Sequence, residues 1–190
     1  MMAVYRDLFT VMWLAWALYW WALRRDVKAT TRHESAWSRL AHILPLLLAA
    51  WLLSASRLRG TILGERFLPA TLWPFWIGAG LTAAGLLFSV WARMYIGRNW
   101  SGTVTIKEGH ELVTSGPYAI VRHPIYSGLL LALVGSALAC GEWRGVLAVA
   151  IAFLALWRKL RLEERWMREQ FGAAYEAYRR RVAALLPFVF

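Results

Sequence analysis

The stretch Arg122-His123-Pro124-Ile125-Tyr126 sets an arginine, a histidine and a tyrosine at the threshold of a long apolar run, with Tyr118 just before it. Ionisable side chains at membrane depth are expensive, and they are functional candidates by default. Pro124 suits the first position of a helix, where its missing N–H is no loss, and His123 would then stand near the N-cap. The plainest reading is a helix start with an interfacial arginine and histidine. The chemical reading is that Arg122, His123, Tyr118 and Tyr126 converge on a polar ligand, with the positive end of the helix facing an anionic part of it.

Two further groups could do chemistry. Glu163 and Glu164 are the only adjacent carboxylates among 11 acidic residues. They pair with Arg161, Arg165 or Arg168 along a solvated helix face, or they accept from hydroxyl or amino groups and face a cation. In KEGHELVTSGPY, Gly109 and Gly116 flank Glu111–Ser115 and would let backbone amides approach a ligand closely. His110 is a loop residue or part of that contact. The histidines show no metal-ligand spacing, so no metal site is expected. No nucleophile elbow, phosphate loop or dinucleotide fingerprint occurs.

Elements able to hold such groups must be membrane helices. The chain has 190 residues, 59% of them hydrophobic, with 13 Trp and a net charge of +11. Soluble domains are nearer 45–50% apolar. In a membrane protein an excess of arginine reflects topology and anionic headgroups rather than nucleic acid, and no nucleic-acid motif accompanies it. The lone Cys140 excludes an intramolecular disulfide. The N-terminal run lacks a small-residue cleavage site before Arg24 and Arg25, so it reads as a retained span.

Five apolar segments stand out: Leu8–Leu23, Leu40–Leu53, Leu68–Ala92, Ile125–Cys140 and Gly145–Trp157. Only the third reaches the ~20 residues that cross a ~30 Å core unaided. Trp20, Trp21, Trp73, Trp143 and Trp157 lie at segment ends, as an aromatic belt requires. Gly80 and Ala84 offer a close-approach surface. The fourth and fifth segments are joined by four residues and should form a tight hairpin. Seventeen of the 22 basic residues fall on one side of such a five-span arrangement. That places the third loop and the tail in the cytoplasm and the N-terminus outside. In the tail, Met167, Phe171, Tyr175, Tyr178 and Val182 make one apolar face, predicting an amphipathic helix that lies along the interface or covers the site and ends at Pro187. The expected fold is therefore an all-α integral membrane protein of about five transmembrane helices, a single domain over 1–190. Residues 1–94 hold the first three spans, and residues 95–190 form a catalytic half.

His110 to Tyr118 (H-x-L-V-T-x-G-P-Y), Arg122 to Gly128 (R-H-P-x-Y-x-G), Glu163-Glu164 and Phe171 to Tyr178 (F-G-x-x-Y-x-x-Y) occur in that order. The ordered set, over roughly residues 95 to 188, resembles the isoprenylcysteine carboxyl methyltransferase family, in a minimal, prokaryotic-type form. The resemblance implies a membrane methyltransferase that uses S-adenosylmethionine without a Rossmann domain. It implies cofactor contacts from His110, Leu112, Val113, Gly116, Tyr118, His123, Tyr126 and Glu164, and a catalytic or substrate-side group of Arg122, Arg161 and Glu163. It also implies a lipophilic acceptor entering from the bilayer. Methyl transfer to a carboxylate needs alignment and dryness rather than a general base. A phospholipid amine or a small thiol is the nearest alternative acceptor. A sterol-type NADPH reductase or a non-enzymatic membrane scaffold is the more distant one. The composition suggests a bacterial inner membrane.

Overall fold

The computed structural model describes residues 2–23, 30–58, 60–100, 105–107 and 111–189. In chain order the elements are α1 (Met2–Ala22), β1 (Thr30–His33), α2 (Ala36–Ser54), α3 (Leu72–Ile96), β2 (Thr105–Lys107), α4 (Pro117–Ile120), α5 (Pro124–Cys140), α6 (Trp143–Phe171) and α7 (Ala173–Arg179). The all-α expectation holds apart from one small ribbon: β1 and β2 pair antiparallel, Thr30 opposite Lys107 and His33 opposite Thr105.

Helix ends follow local chemistry. Ser35 caps α2, its Oγ accepting from the Ser38 N–H at 3.2 Å. Pro124 opens α5 with His123 as its cap residue. Gly141, at φ 63°, closes α5 by donating its N–H to Ala137 O at 2.9 Å. The chain then turns at once into α6, giving the expected hairpin.

Two expectations are corrected. The face predicted as one helix over Met167–Val182 is split. Met167 and Phe171 finish α6, Gly172 breaks the helix at φ 49°, and Tyr175 and Tyr178 belong to the short α7. The helix ends at Arg179, well before Pro187, and the chain then runs across the start of α5. There the Arg122 N–H donates to Ala183 O at 2.8 Å, the His123 N–H to Ala184 O at 3.1 Å, and Ser127 Oγ to Leu185 O at 2.6 Å.

The second correction concerns helix packing. Gly80 and Ala84 are exposed, and the close approach is made instead by Gly78 and Gly85 of α3 against Gly135 and Gly128 of α5. A Cβ on Gly78 would lie 2.4 Å from Gly135 O, and one on Gly85 2.4 Å from Gly128 O. The two backbones thus touch at points seven residues apart. Between them Thr82 Oγ1 donates to Ala132 O at 3.1 Å. α1 is fastened to this pair by Trp13 Nε1 to Ser136 Oγ (3.1 Å) and Trp16 Nε1 to Ser89 Oγ (2.8 Å).

α2 and α6 pack through Ala49, Leu52, Ala148 and Ala152, with Leu133 of α5 between them. At the end distant from Glu163 a buried Arg144 pairs with Glu142 and caps α2, donating to Leu52 O at 2.9 Å and Leu53 O at 3.0 Å. Outside, Leu47, Trp76, Leu87, Met94 and Leu154 are all exposed. Such a surface belongs in a bilayer. Among the described residues, α2 and the helical stretch from Leu72 to Asn99 are long and apolar enough to cross one, and α5 is a shorter apolar helix.

Candidate active site

The start of α5, the polar extension of α6, α7 and the loop before α4 meet around a cavity of ≈ 360 Å³. Its polar end carries Arg122, His123, Tyr118, Tyr126 and Glu163, joined by Leu112 and Val113 from the loop. Seven of the expected site residues therefore share one cavity. Met167, Tyr175 and Tyr178 close it from the tail side, so the split tail still covers the site.

Glu163 and His123 are the centre of this end. His123 Nδ1 lies 3.6 Å from Glu163 Oε2, and Nε2 lies 3.4 Å from Glu164 Oε1. The imidazole stacks on the Tyr126 ring at 5.6 Å and 3°, and the Tyr126 hydroxyl donates to Glu163 Oε1. Burial works against the charged imidazole, but hydrogen bonding to Glu163 and Glu164 and their negative charge outweigh it, so the His123 pKa is raised. Burial likewise opposes the Glu163 carboxylate. Its hydrogen bond to His123 and the charge of Lys159 prevail and lower its pKa.

Glu164 plays a different part from the cofactor contact expected of it. It is buried, and it does not line the cavity. It accepts from Arg122 Nε at 2.8 Å, with Arg122 Nη2 at 2.6 Å, Arg179 Nε at 3.5 Å and Arg168 Nη2 at 3.6 Å. Burial would raise this carboxyl, but the facing His123 and Arg122 hold its pKa at about 2. Arg122 also donates to Arg179 O at 3.2 Å and to Val182 O, so its guanidinium ties α5 to α6 and the tail.

Two other expectations fall differently, and a third is not described. Gly116 takes φ 59° beside Tyr95, whose ring would meet a Cβ at 2.6 Å, and it shapes the loop rather than the cavity. Arg161 is exposed on another face of α6, its guanidinium 5.9 Å from the centre of the Trp157 ring, because it is out of helical phase with Glu163. His110 lies outside the described residues.

The cavity also contains residues that motif reading missed. Lys159 is buried one turn before Glu163, its Nζ 5.3 Å from the centre of the Tyr126 ring. Leu156, Lys159, Glu163 and Met167 form one stripe at steps of three and four, a signal present in the sequence once Glu163 is fixed as facing inward. Asn99 lines the wall with a buried Oδ1 that has no hydrogen-bond partner among the described residues. Trp20, expected in the aromatic belt, turns to the cavity. It stacks on Trp16 at 4.4 Å, and both line the cavity with Trp100. Trp100 is held under Arg93, 4.5 Å from its ring centre. With Leu46 and Leu129 these rings make the opposite wall apolar.

The family model for phospholipid methyltransferases matches residues 73–174. Protein-S-isoprenylcysteine O-methyltransferase B of Arabidopsis thaliana is 33% identical over 133 residues, covering 65% of this chain and 66% of that protein. The Schizosaccharomyces pombe protein-S-isoprenylcysteine O-methyltransferase is 33% identical over 104 residues, covering 52% of this chain and 43% of its own. The cobalt-zinc-cadmium resistance protein CzcN of Cupriavidus metallidurans is 33% identical over 159 residues, covering 83% of this chain and 65% of its own. The match thus spans less than two thirds of each relative's length. The matched segment runs from α3 to α7 and contains Arg122, His123, Lys159, Glu163 and Glu164. The chain belongs to the phospholipid methyltransferase family, and protein-S-isoprenylcysteine O-methyltransferases are among the proteins it resembles.

Proposed function

We propose that this chain is an S-adenosylmethionine-dependent membrane methyltransferase that esterifies the carboxylate of an isoprenylcysteine-like, lipophilic thioether. The observation that carries this reading is the placement of Glu163 and Lys159 one turn apart, facing a cavity whose far wall is apolar. Names of relatives that methylate isoprenylcysteine support it.

The residues fit the cofactor. A carboxylate, an unpartnered amide oxygen and two tyrosine rings suit a sulfonium cation with hydroxyl and amino groups. When bound, S-adenosylmethionine supplies an electrophilic methyl group. Glu163 and Asn99 accept from its N–H and O–H donors, and Leu112 and Val113 flank it. His123 and Tyr126 hold Glu163 in position. His110 stays in the proposed cofactor set on the resemblance alone. Gly116, Glu164 and Arg122 support the set by shaping the loop and fastening the tail.

Lys159 takes the acceptor-side role that the resemblance implies for Arg122 or Arg161. Its ammonium binds the acceptor carboxylate and aligns it, while the tryptophan and leucine wall takes the lipid. A carboxylate is ionised at neutral pH, so no base is required. Alignment can supply roughly 7–11 kcal/mol, and exclusion of water strengthens the charge contacts.

The topology belongs to the same reading. It has five spans in one membrane domain, the N-terminus outside and the site facing the cytoplasm of a bacterial inner membrane. The half from residue 95 carries the chemistry, and Trp16, Trp20 and Leu46 complete the wall from the first half.

The test offers purified protein in liposomes a methyl-labelled cofactor and one of three acceptors: an S-farnesylcysteine, phosphatidylethanolamine or a small thiol. Base-labile product from the first alone is expected. Lys159→Ala should lower kcat/KM about a hundredfold, the loss of one charge-assisted hydrogen bond, with cofactor affinity nearly unchanged. Transfer to the amine or thiol alone would overturn the acceptor assignment.

A further inference from the structure

Arg158, Arg161 and Arg165 share one face of α6 at steps of three and four, turned away from the face of Lys159 and Glu163. With Ser38 and Leu162 they line a second cavity, ≈ 390 Å³, between the start of α2 and α6. Arg158 shapes its rim by donating from Nη1 to Ser38 O at 3.1 Å and from Nη2 to Ser38 Oγ at 3.3 Å. Arg161 lies over Trp157, which stacks on Phe153 at 5.9 Å.

Among the described residues, the neighbouring carboxylates are engaged elsewhere. Glu163 is engaged by His123 and Tyr126, and Glu164 by Arg122, Arg168 and Arg179. Among the described residues, no carboxylate lies within ion-pair distance of Arg158, Arg161 or Arg165. Three exposed guanidinium groups around one concavity make a phosphate-binding arrangement, because each presents planar paired donors. Its aromatic and apolar surroundings point to the source of the phosphate. Trp37 and Trp157 are exposed beside it, as at a membrane–water boundary. On the next turns of both helices Leu40, Leu44, Phe153 and Leu154 are exposed, giving acyl chains an apolar bed directly below the cleft.

We propose that this cleft is a binding site for the headgroup phosphate of an anionic membrane phospholipid, held by Arg158, Arg161 and Arg165. The site is separate from the methyl-transfer cavity and does not depend on how that cavity is read. The bound lipid would brace the α2–α6 contact at the membrane surface.

The experiment is native mass spectrometry of the purified full chain, titrated with phosphatidylglycerol, phosphatidylcholine or inorganic phosphate. Retained phosphatidylglycerol is expected on the wild type, with weaker retention of phosphatidylcholine and no displacement by inorganic phosphate at equal concentration. The triple variant Arg158→Gln, Arg161→Gln, Arg165→Gln should bind phosphatidylglycerol about a hundredfold more weakly, at roughly 1 kcal/mol per arginine. The single variant Arg161→Gln, which leaves the Arg158–Ser38 bonds in place, should show a partial loss even if the triple variant folds poorly. Equal phosphatidylglycerol binding by wild type and both variants would overturn the proposal. So would complete displacement by inorganic phosphate, which would mark a site for free anions.

Discussion

Successive residues of a helix point about 100° apart, and that rotation divides Glu163 from Glu164. Glu163 faces the cavity with Lys159, while Glu164 faces Arg122, Arg168 and Arg179. His123 lies between the two carboxylates, which makes the cluster sensitive to pH. Its pKa is raised above 6.5, so its stabilising contribution is complete below 6.5 and is lost as pH rises through the raised value. Glu164 is lowered from 4.5 to about 2, so its contribution is present above 4.5 and is lost as pH falls toward 2. Thermal melting in detergent should therefore show a plateau between those limits and a falling Tm on the alkaline side. His123→Gln should flatten the alkaline decline, and an unchanged slope in that variant would remove His123 as its cause. Much of this was legible at residue level: Arg122, His123, Tyr118, Tyr126 and Glu163 were all picked out by type and order. Lys159 was hidden among three neighbouring cations, because only the phase of α6 tells which of Arg158, Lys159 and Arg161 faces inward.

Between elements, the closest contact is the α3–α5 seam, where Gly85 and Gly128 lie backbone to backbone. α3 leads to Asn99 and Trp100, and α5 carries Tyr126, so this seam sets the distance between two walls of the cavity. Gly85→Leu should separate the helices and destabilise the fold by about 1–3 kcal/mol, the usual range for overpacking. It should lower cofactor affinity as well, although Gly85 does not line the cavity. Gly80→Leu, on the exposed face of the same helix, should leave both unchanged. Melting and cofactor titration of the two variants check the pair. Helix existence and the α5 start were readable from Pro124 and the apolar runs. The seam was not, since glycines at 78, 80 and 85 look alike until a partner helix selects a face. The split of the tail is hidden in the sequence because the apolar periodicity continues on both sides of Gly172.

For the whole molecule, the proposed orientation, which rests on the basic-residue count, has the cavity and the tail at the cytoplasmic surface. In a Cys140→Ser background, Ala174→Cys of α7 should react with a membrane-impermeant maleimide in inverted vesicles and not in right-side-out ones. The reverse pattern would turn the molecule over. The contribution of α1 to the site escaped the sequence entirely. Trp20 looks like an interfacial anchor in a linear reading and Trp16 like one apolar residue of a span, and only the packing of α1 on α3 brings them to the far wall. The central claim is that the cavity around Glu163 holds the methyl donor. Calorimetric titration of the wild type and Glu163→Gln with S-adenosylhomocysteine and with NADPH tests it most directly. Binding of S-adenosylhomocysteine alone is expected, weakened roughly tenfold to a hundredfold in Glu163→Gln, the range for one charged hydrogen bond. Binding of NADPH instead, or equal S-adenosylhomocysteine affinity in the two proteins, would contradict it.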